Sequence, residues 1–355
     1  MEFIKKHKRD LVFLAVVLIL AVMPFNLSLF RLNMLGKFVA YAIVAIGLDL
    51  LWGYTGILSL GHGVFFGLGA YCMGMYLKLQ ATGGGLPDFM QWNGVSVLPD
   101  FWKPFANTGM AMALIVAVPV LLALVLGLVT FINRIRGVYF SILSQALALV
   151  FVTVLTGTQK YTGGTNGITD FKTIFGMNIN APMTKITLFY VALAALVIVY
   201  ALSSLLLSRK TGKVLVAIRD GENRAFFSGY NASNYKTFVY CLSALFAGIA
   251  GALFVPFSGI ISPAELSVSA SIEMVIWVAV GGRGTLIGAV IGALLVNLAK
   301  TGMSEQFPEI WSYFIGILFV VVVLFLRRGI VGLFENIGKK RVKAAPASAA
   351  KEVNA

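Results

Sequence analysis

Met110 to Phe131 reads MAMALIVAVPVLLALVLGLVTF, apolar from end to end. An α-helix of roughly 20 such residues spans the hydrocarbon core of a bilayer and satisfies its own backbone polar groups there. Barrel strands would alternate polar and apolar residues, and this run does not. Leu11–Phe30, Phe38–Trp52, Ile186–Leu207, Phe238–Phe257 and Trp311–Leu326 read the same way. Over 355 residues, 59% are apolar and 12% charged, well outside the balance of a soluble domain. The chain is therefore expected to be an all-α polytopic membrane protein. The first run is long and lacks a clean small-residue cleavage site, so it reads as a retained span and not a signal peptide. Cys72 and Cys241 lie in apolar runs without a partner motif, which makes them packing residues.

The formal charge of +14 invites a polyanionic partner, yet its distribution argues otherwise. On a path of about ten helices with both termini cytosolic, most of the 28 Lys and Arg fall on the inner side. They are Lys5, Lys6, Lys8, Arg9, Arg134, Arg136, the basic residues from Arg209 to Lys236, Arg283, and those from Arg327 to Lys351. That bias is the positive-inside rule, so the charge reports orientation and not nucleic-acid binding. Residues 1–10 form a cytosolic tail on this path, 11–335 the membrane domain, and 336–355 a disordered basic tail. The outer loops are 79–108, 158–185 and a short piece near 260–271; the first carries Pro87, Phe89, Trp92, Phe101 and Trp102, suited to the headgroup zone or to docking.

Between two apolar runs lies SRKTGKVLVAIRDGENRAFFSGYNASNYK, Ser208 to Lys236. Val214, Ile218, Gly221 and Ala225 recur at helical spacing, and Lys213, Arg219, Glu222, Asn223 and Arg224 cover the rest. Asp220 is placed as an N-cap, Glu222 suits the first-turn dipole, and Gly229 can close the helix in a left-handed conformation. An ordered helix held in water on a membrane protein implies something that docks there. The plainer alternative is a basic loop.

Charges and small residues within the apolar runs are the candidates for a solute path. Gly53–Gly74, GYTGILSLGHGVFFGLGAYCMG, spaces Gly63, Gly67 and Gly74 for close helix packing, and Gly288 and Gly292 repeat the pattern. Packing is the first reading of these glycines; Ser59 and His62 at the helix start favour a path. Asp49 lies near the end of its span and is expected to bond to the Tyr54–Thr55 turn. Glu273 opens its helix, where a carboxylate caps against the dipole. His62 reads as a core residue, a partner of Asp49, or a pH-sensitive gate. The surfaces 56–67 and 273–284, the latter with Trp277, are the candidate path. The stretch 271–300 exceeds one span and is interrupted by GGRGT at Gly281–Thr285, predicting two helices that meet at a cytosolic turn. The shared glycines of GYTGILSLGHG and GGRGTLIGA hint at an internal duplication.

Enzymatic chemistry finds no support. There is no G-x-S-x-G elbow around Ser59, no multi-histidine metal site and no paired carboxylates at usable depth. GGTNGITD at Gly163 and TGKV at Thr211 lack the Gly-Lys-Ser/Thr of a P-loop, so any ATPase must be a separate subunit.

GYTGILSLGHGVFFGLGAY at Gly53, YTGGTNGITDF at Tyr161, AIRDGENRAFFSGYN at Ala217, LSALFAGIAGALF at Leu242 and IEMVIWVAVGGRGTLIGAVIGA at Ile272 resemble, in order, the permeases of bacterial branched-chain amino acid ABC importers. The resemblance covers nearly all the chain apart from its tails. Within it, DLLWGYTG at Asp49, LPDFM at Leu86, FWKPF at Phe101 and RAFFSGYN at Arg224 look like the urea-transporter branch, and its second, longer permease. The resemblance implies a type II-like importer fold in a bacterial inner membrane. It also implies a related permease as heterodimer partner, two cytosolic ATPases that carry ATP and Mg, and an extracytoplasmic solute-binding protein. This chain would itself hold no cofactor. Arg219–Gly229 would then be the coupling helix in the ATPase cleft, with Arg219, Asp220, Glu222, Asn223, Arg224, Ala225, Phe226 and Gly229 as contact candidates. Arg224-Ala225-Phe226 departs from the Glu-Ala-Ala common in such loops. Urea needs no fixed counter-charge along its path, and intramembrane charge reads as sparse, which favours urea over an amino acid. The rival readings are a branched-chain amino acid permease, a passive urea channel, and, last, an intramembrane hydrolase using Ser59 and His62.

Overall fold

The computed structural model describes residues 8–135 and 137–307, with 309, 313, 316–317, 320 and 329–331. The expected span 311–326 lies largely, and the tail 336–355 wholly, outside the described residues. The main helices are α1 Lys8–Val22, α2 Leu29–Asp49, α3 His62–Ala81, α4 Thr108–Ile132 and α5 Val138–Gly157, then α6 Pro182–Ser208, α7 Lys210–Phe227, α8 Ala232–Ser258, α9 Val268–Gly281 and α10 Leu286–Gln306. Among the described residues, six helices are long and apolar enough to cross a membrane: α2 with its continuation to Tyr54, α4, α5, α6, α8 and α10. α1 and α9 are shorter apolar helices, so the structure supports six of the ten or so crossings the sequence suggested.

Leu11–Phe30 is not one span. Pro24 sits in a 3-10 turn, Met23–Phe25, that ends α1, and Ser28 starts α2 by accepting the Arg31 N–H on its hydroxyl. A proline ring clashes with the carbonyl one turn back, so the apolar run is cut into two helices although its composition is uniform. The predicted break at GGRGT is present: α9 and α10 flank it as an antiparallel pair.

α2, α3 and α8 form the centre, while α4 and α5 turn most of their apolar surface outward, with Leu121, Val125, Val129, Ile142 and Leu149 exposed. An outward apolar face of that extent is what lipid tails cover. At the centre, a side chain on Gly69 would run into the Gly248 carbonyl, and one on Gly251 into the Phe66 carbonyl. Those absences let α3 and α8 approach backbone to backbone, which is how membrane helices gain dispersion contacts.

Two small sheets hold the outer loops. β1 Ile168–Thr169 pairs antiparallel with β4 Ile260–Ile261, and β2 Thr173–Ile174 pairs with β3 Met177–Asn178. Gly167, at φ 70°, lies against the Ile261 carbonyl, so the glycines of GGTNGITD serve this pairing.

Candidate translocation path and coupling surface

α2 does not simply end at Asp49; it loosens into a π-helical turn, Leu50–Tyr54, and then the chain runs without helix from Gly56, at φ 79°, to Gly61. Irregular backbone between spans persists only where protein satisfies it. Serines do that here. Ser141 Oγ donates to the Leu58 carbonyl at 2.8 Å, Leu60 N–H donates to Ser144 Oγ at 3.0 Å, and Gly63 N–H to Ser271 Oγ at 3.0 Å. His62 Nε2 meets Ser243 Oγ at 2.6 Å. His62 is thus a core residue bonded to α8, and the pairing with Asp49 is not formed. Ser59 Oγ and His62 Nδ1 are buried and have no hydrogen-bond partner among the described residues. Gly63 packs on Glu265 and Ser271, and Gly67 on the Leu266 side chain, so the outer loop 262–267 rests on the start of α3.

The water-facing helix α7 carries the expected apolar face: Val214, Ile218 and Ala225 cluster with Ala232 of α8. It bends at Gly221, where φ is −175° and ψ 78°. Beyond the bend it closes as predicted: Gly229 has φ 86°, its N–H donates to Phe226, and Tyr230 N–H donates to Ala225. The cap assigned to Asp220 is replaced by a side-chain bond, Arg219 Nε donating to Asp220 Oδ1 at 2.8 Å, and that bond holds the Asp220 carboxyl below its usual range. Lys236 of α8 pairs with Glu222 at 2.8 Å, fastening the bend to the bundle. Asn223, Arg224, Phe226 and Phe227 face water, Phe227 at 87% exposure. Phe227 was missed by sequence reasoning; an aromatic on the polar side of α7 was the available signal.

Arg219 reaches from α7 into the membrane domain: its Nη1 donates to the Gly53 carbonyl at 2.8 Å. Arg283, in the α9–α10 turn, donates to the Trp52 carbonyl at 3.3 Å and stacks over the Trp52 ring at 4.9 Å. Asp49 does not bond to the Tyr54–Thr55 turn as expected; its Oδ1 accepts the Gly284 N–H at 2.7 Å, and Thr55 bonds back to Leu51 instead. A helix end presents unpaired carbonyls, and two guanidinium groups from different elements satisfy them here. The glycine turns of residues 53–56 and 281–285 therefore meet, with α7 fastened to both through one end of α2.

Glu273 is not a cap either. It lies in the second turn of α9 and takes Lys300 Nζ of α10 on both oxygens, at 2.7 and 2.9 Å. Four residues on, Trp277 is buried and its ring lies 4.6 Å from that of Tyr41 of α2. Burial, then the Glu273 carboxylate, push Glu265 up, and Lys300 and Lys37 oppose this, so two acids and two bases share one neighbourhood. Charge in the helices is concentrated and not sparse, and the argument for a neutral solute on that ground falls.

The family described as "Branched-chain amino acid transport system / permease component" matches residues 30–323. The high-affinity branched-chain amino acid transport system permease protein LivM of Salmonella typhimurium is 24% identical over 91% of this chain and 75% of its own length. LivM of Escherichia coli is 25% identical over 90% and 74%. The xylose transport system permease protein XylH of Haemophilus influenzae is 34% identical over a shorter stretch, 35% of this chain and 36% of that one. No solved structure matches. These relatives are transport permeases and not enzymes, in keeping with the missing catalytic constellation.

Proposed function

Because this chain belongs to the permease family of branched-chain amino acid transport systems, we propose that it is the membrane subunit of an ATP-driven importer for a small solute bearing amino or amide groups. One observation carries the reading: α7, held in water, is wired by Arg219 to the Gly53 carbonyl at the end of a transmembrane helix. A passive channel has no use for that wiring. Separate ATPase subunits, which carry ATP and Mg, would dock on α7 around Asn223, Arg224, Phe226 and Phe227. Their closure moves α7; Arg219 carries the motion to Gly53, and the Asp49–Gly284 bond passes it to the turn between α9 and α10. Two packings of the bundle then expose the path to opposite sides. The unhelical stretch Ile57–Gly61, with Ser59, His62, Gly63 and Gly67, belongs to that path, as broken helices do in other transporters.

The relatives' names support a branched-chain amino acid as the solute, and the charged groups of α9 and α10 suit a zwitterion. Urea is the second reading, favoured by the stretches at Asp49, Leu86, Phe101 and Arg224. A related permease as second half, an extracytoplasmic binding protein, an inner-membrane location and cytosolic termini complete the proposal. Uptake of labelled leucine and labelled urea by the reconstituted complex, with and without ATP, tests it. Flux that persists undiminished without nucleotide would make the chain a channel.

A further inference from the structure

We propose that Glu273 and Lys300 form the polar half of a solute site on the face where α2, α9 and α10 meet, the carboxylate taking the solute's N–H groups and the ammonium its carbonyl or carboxylate oxygen. The inference rests on the importer reading and names the chemistry of its cargo. An ion pair inside apolar helices is costly, and a well-packed apolar pair serves helix packing equally well. Charges kept there have a use other than packing. Both groups are reachable: their side chains retain 30% and 29% exposure, although they hold each other at 2.7 Å. A solute that offers donors at one end and an acceptor at the other can slip between them and leave neither charge bare. Beside the pair, one turn along α2 from Lys37, the half-buried Tyr41 ring presents aromatic surface, backed at 4.6 Å by the buried Trp277 one turn along α9 from Glu273. That surface suits the apolar body of an amino acid or the planar face of an amide. Lys37 and Glu265 supply a second acid and base nearby, so the site has a polarity that a single ion pair lacks.

The shared chemistry is an N–H donor and an oxygen acceptor on one small molecule, which both an α-amino acid and urea carry. The test measures uptake of labelled leucine and labelled urea by the full complex in proteoliposomes, for the wild type, Glu273→Gln, Lys300→Met and the exchange Glu273→Lys with Lys300→Glu. Thermal midpoints serve as the folding control. For whichever solute the wild type carries, each single variant is expected to raise the uptake KM at least tenfold. The exchange re-forms an ion pair and recovers the midpoint, yet it reverses the site's polarity between Lys37, Glu265 and the aromatic wall, so the KM stays high. Recovery of uptake by the exchange reduces the pair to a helix fastener and overturns the site. An unchanged KM in both single variants does the same. A wild-type complex that moves neither solute defeats the importer reading itself, which keeps the two failures apart.

Discussion

Arg219 and Gly53 lie 166 positions apart in sequence, and the guanidinium Nη1 of the first donates to the carbonyl of the second at 2.8 Å. The bond joins a helix in water to the end of a helix in the membrane. Charge-assisted bonds of this kind are worth about 1.5–3 kcal/mol, enough to move two elements together. Arg219→Glu places an anion against the free carbonyls of α2, where the helix dipole is already negative. The variant complex should still assemble, but its ATP hydrolysis should no longer rise when solute-loaded binding protein is added. Uptake should fall at least tenfold. Normal uptake would remove Arg219 from the coupling route.

Asp49 holds the Gly284 N–H at 2.7 Å, and a side chain on Gly53 would collide with that carboxylate, so the two turns are closely packed at this bond. Asp49→Ala leaves the amide without an acceptor, at a cost of about 1–3 kcal/mol. Asp49→Asn keeps an oxygen in place. Thermal melting in detergent should show a clear drop for alanine and a much smaller one for asparagine. Equal drops would mean that the charge, and not the bond, is what the site needs.

Local pattern made much of this legible. The apolar runs gave most spans, the spacing of Val214, Ile218 and Ala225 gave the face of α7, and Gly229 gave its end, because each depends on residues one turn apart. The partners of Asp49 and Glu273 were misjudged for the opposite reason. Gly284 is 235 positions from Asp49, and Lys300 is 27 from Glu273 on another helix. A carboxylate near a helix end satisfies a local rule equally well whether it caps or pairs, so only the fold decides. Lys37 and Lys300 each stand in an apolar run, and a lysine there is itself a signal of a charged partner on a neighbouring helix.

Glu265 offers a test by pH. Burial and Glu273 push its carboxyl above the ordinary glutamate value of 4.5, which means the folded state binds that proton more tightly than the unfolded chain. Stability therefore falls as pH rises from 4.5 through the raised value, and the ionised group weighs against the fold above it. Glu265→Gln should raise the thermal midpoint at pH 8 and leave it unchanged at pH 4, with the gain reduced by the attraction of Lys300 and Lys37. A lowered midpoint at pH 8 would show that those two lysines outweigh burial.

Two ion pairs of similar length should differ sharply in worth. Lys236–Glu222, at 2.8 Å, leaves its side chains 8% and 20% exposed, whereas Arg31–Glu305, at 3.0 Å, leaves 49% and 40%. Solvent screens the second, and such pairs contribute about 0–1 kcal/mol. The first is mostly shielded, so its coupling approaches that of buried pairs, lowered by what water still reaches. It also fastens the bend of α7 to α8, so its loss loosens the proposed docking helix as well. Double-mutant cycles of alanine variants, read by melting, should give a coupling near zero for Arg31–Glu305 and above 1 kcal/mol for Lys236–Glu222. Lys236→Ala should also weaken retention of the ATPase subunits on purification, while Arg31→Ala should not. Equal couplings would mean that the bend at Gly221 is held by the Val214–Ile218–Ala225 face alone.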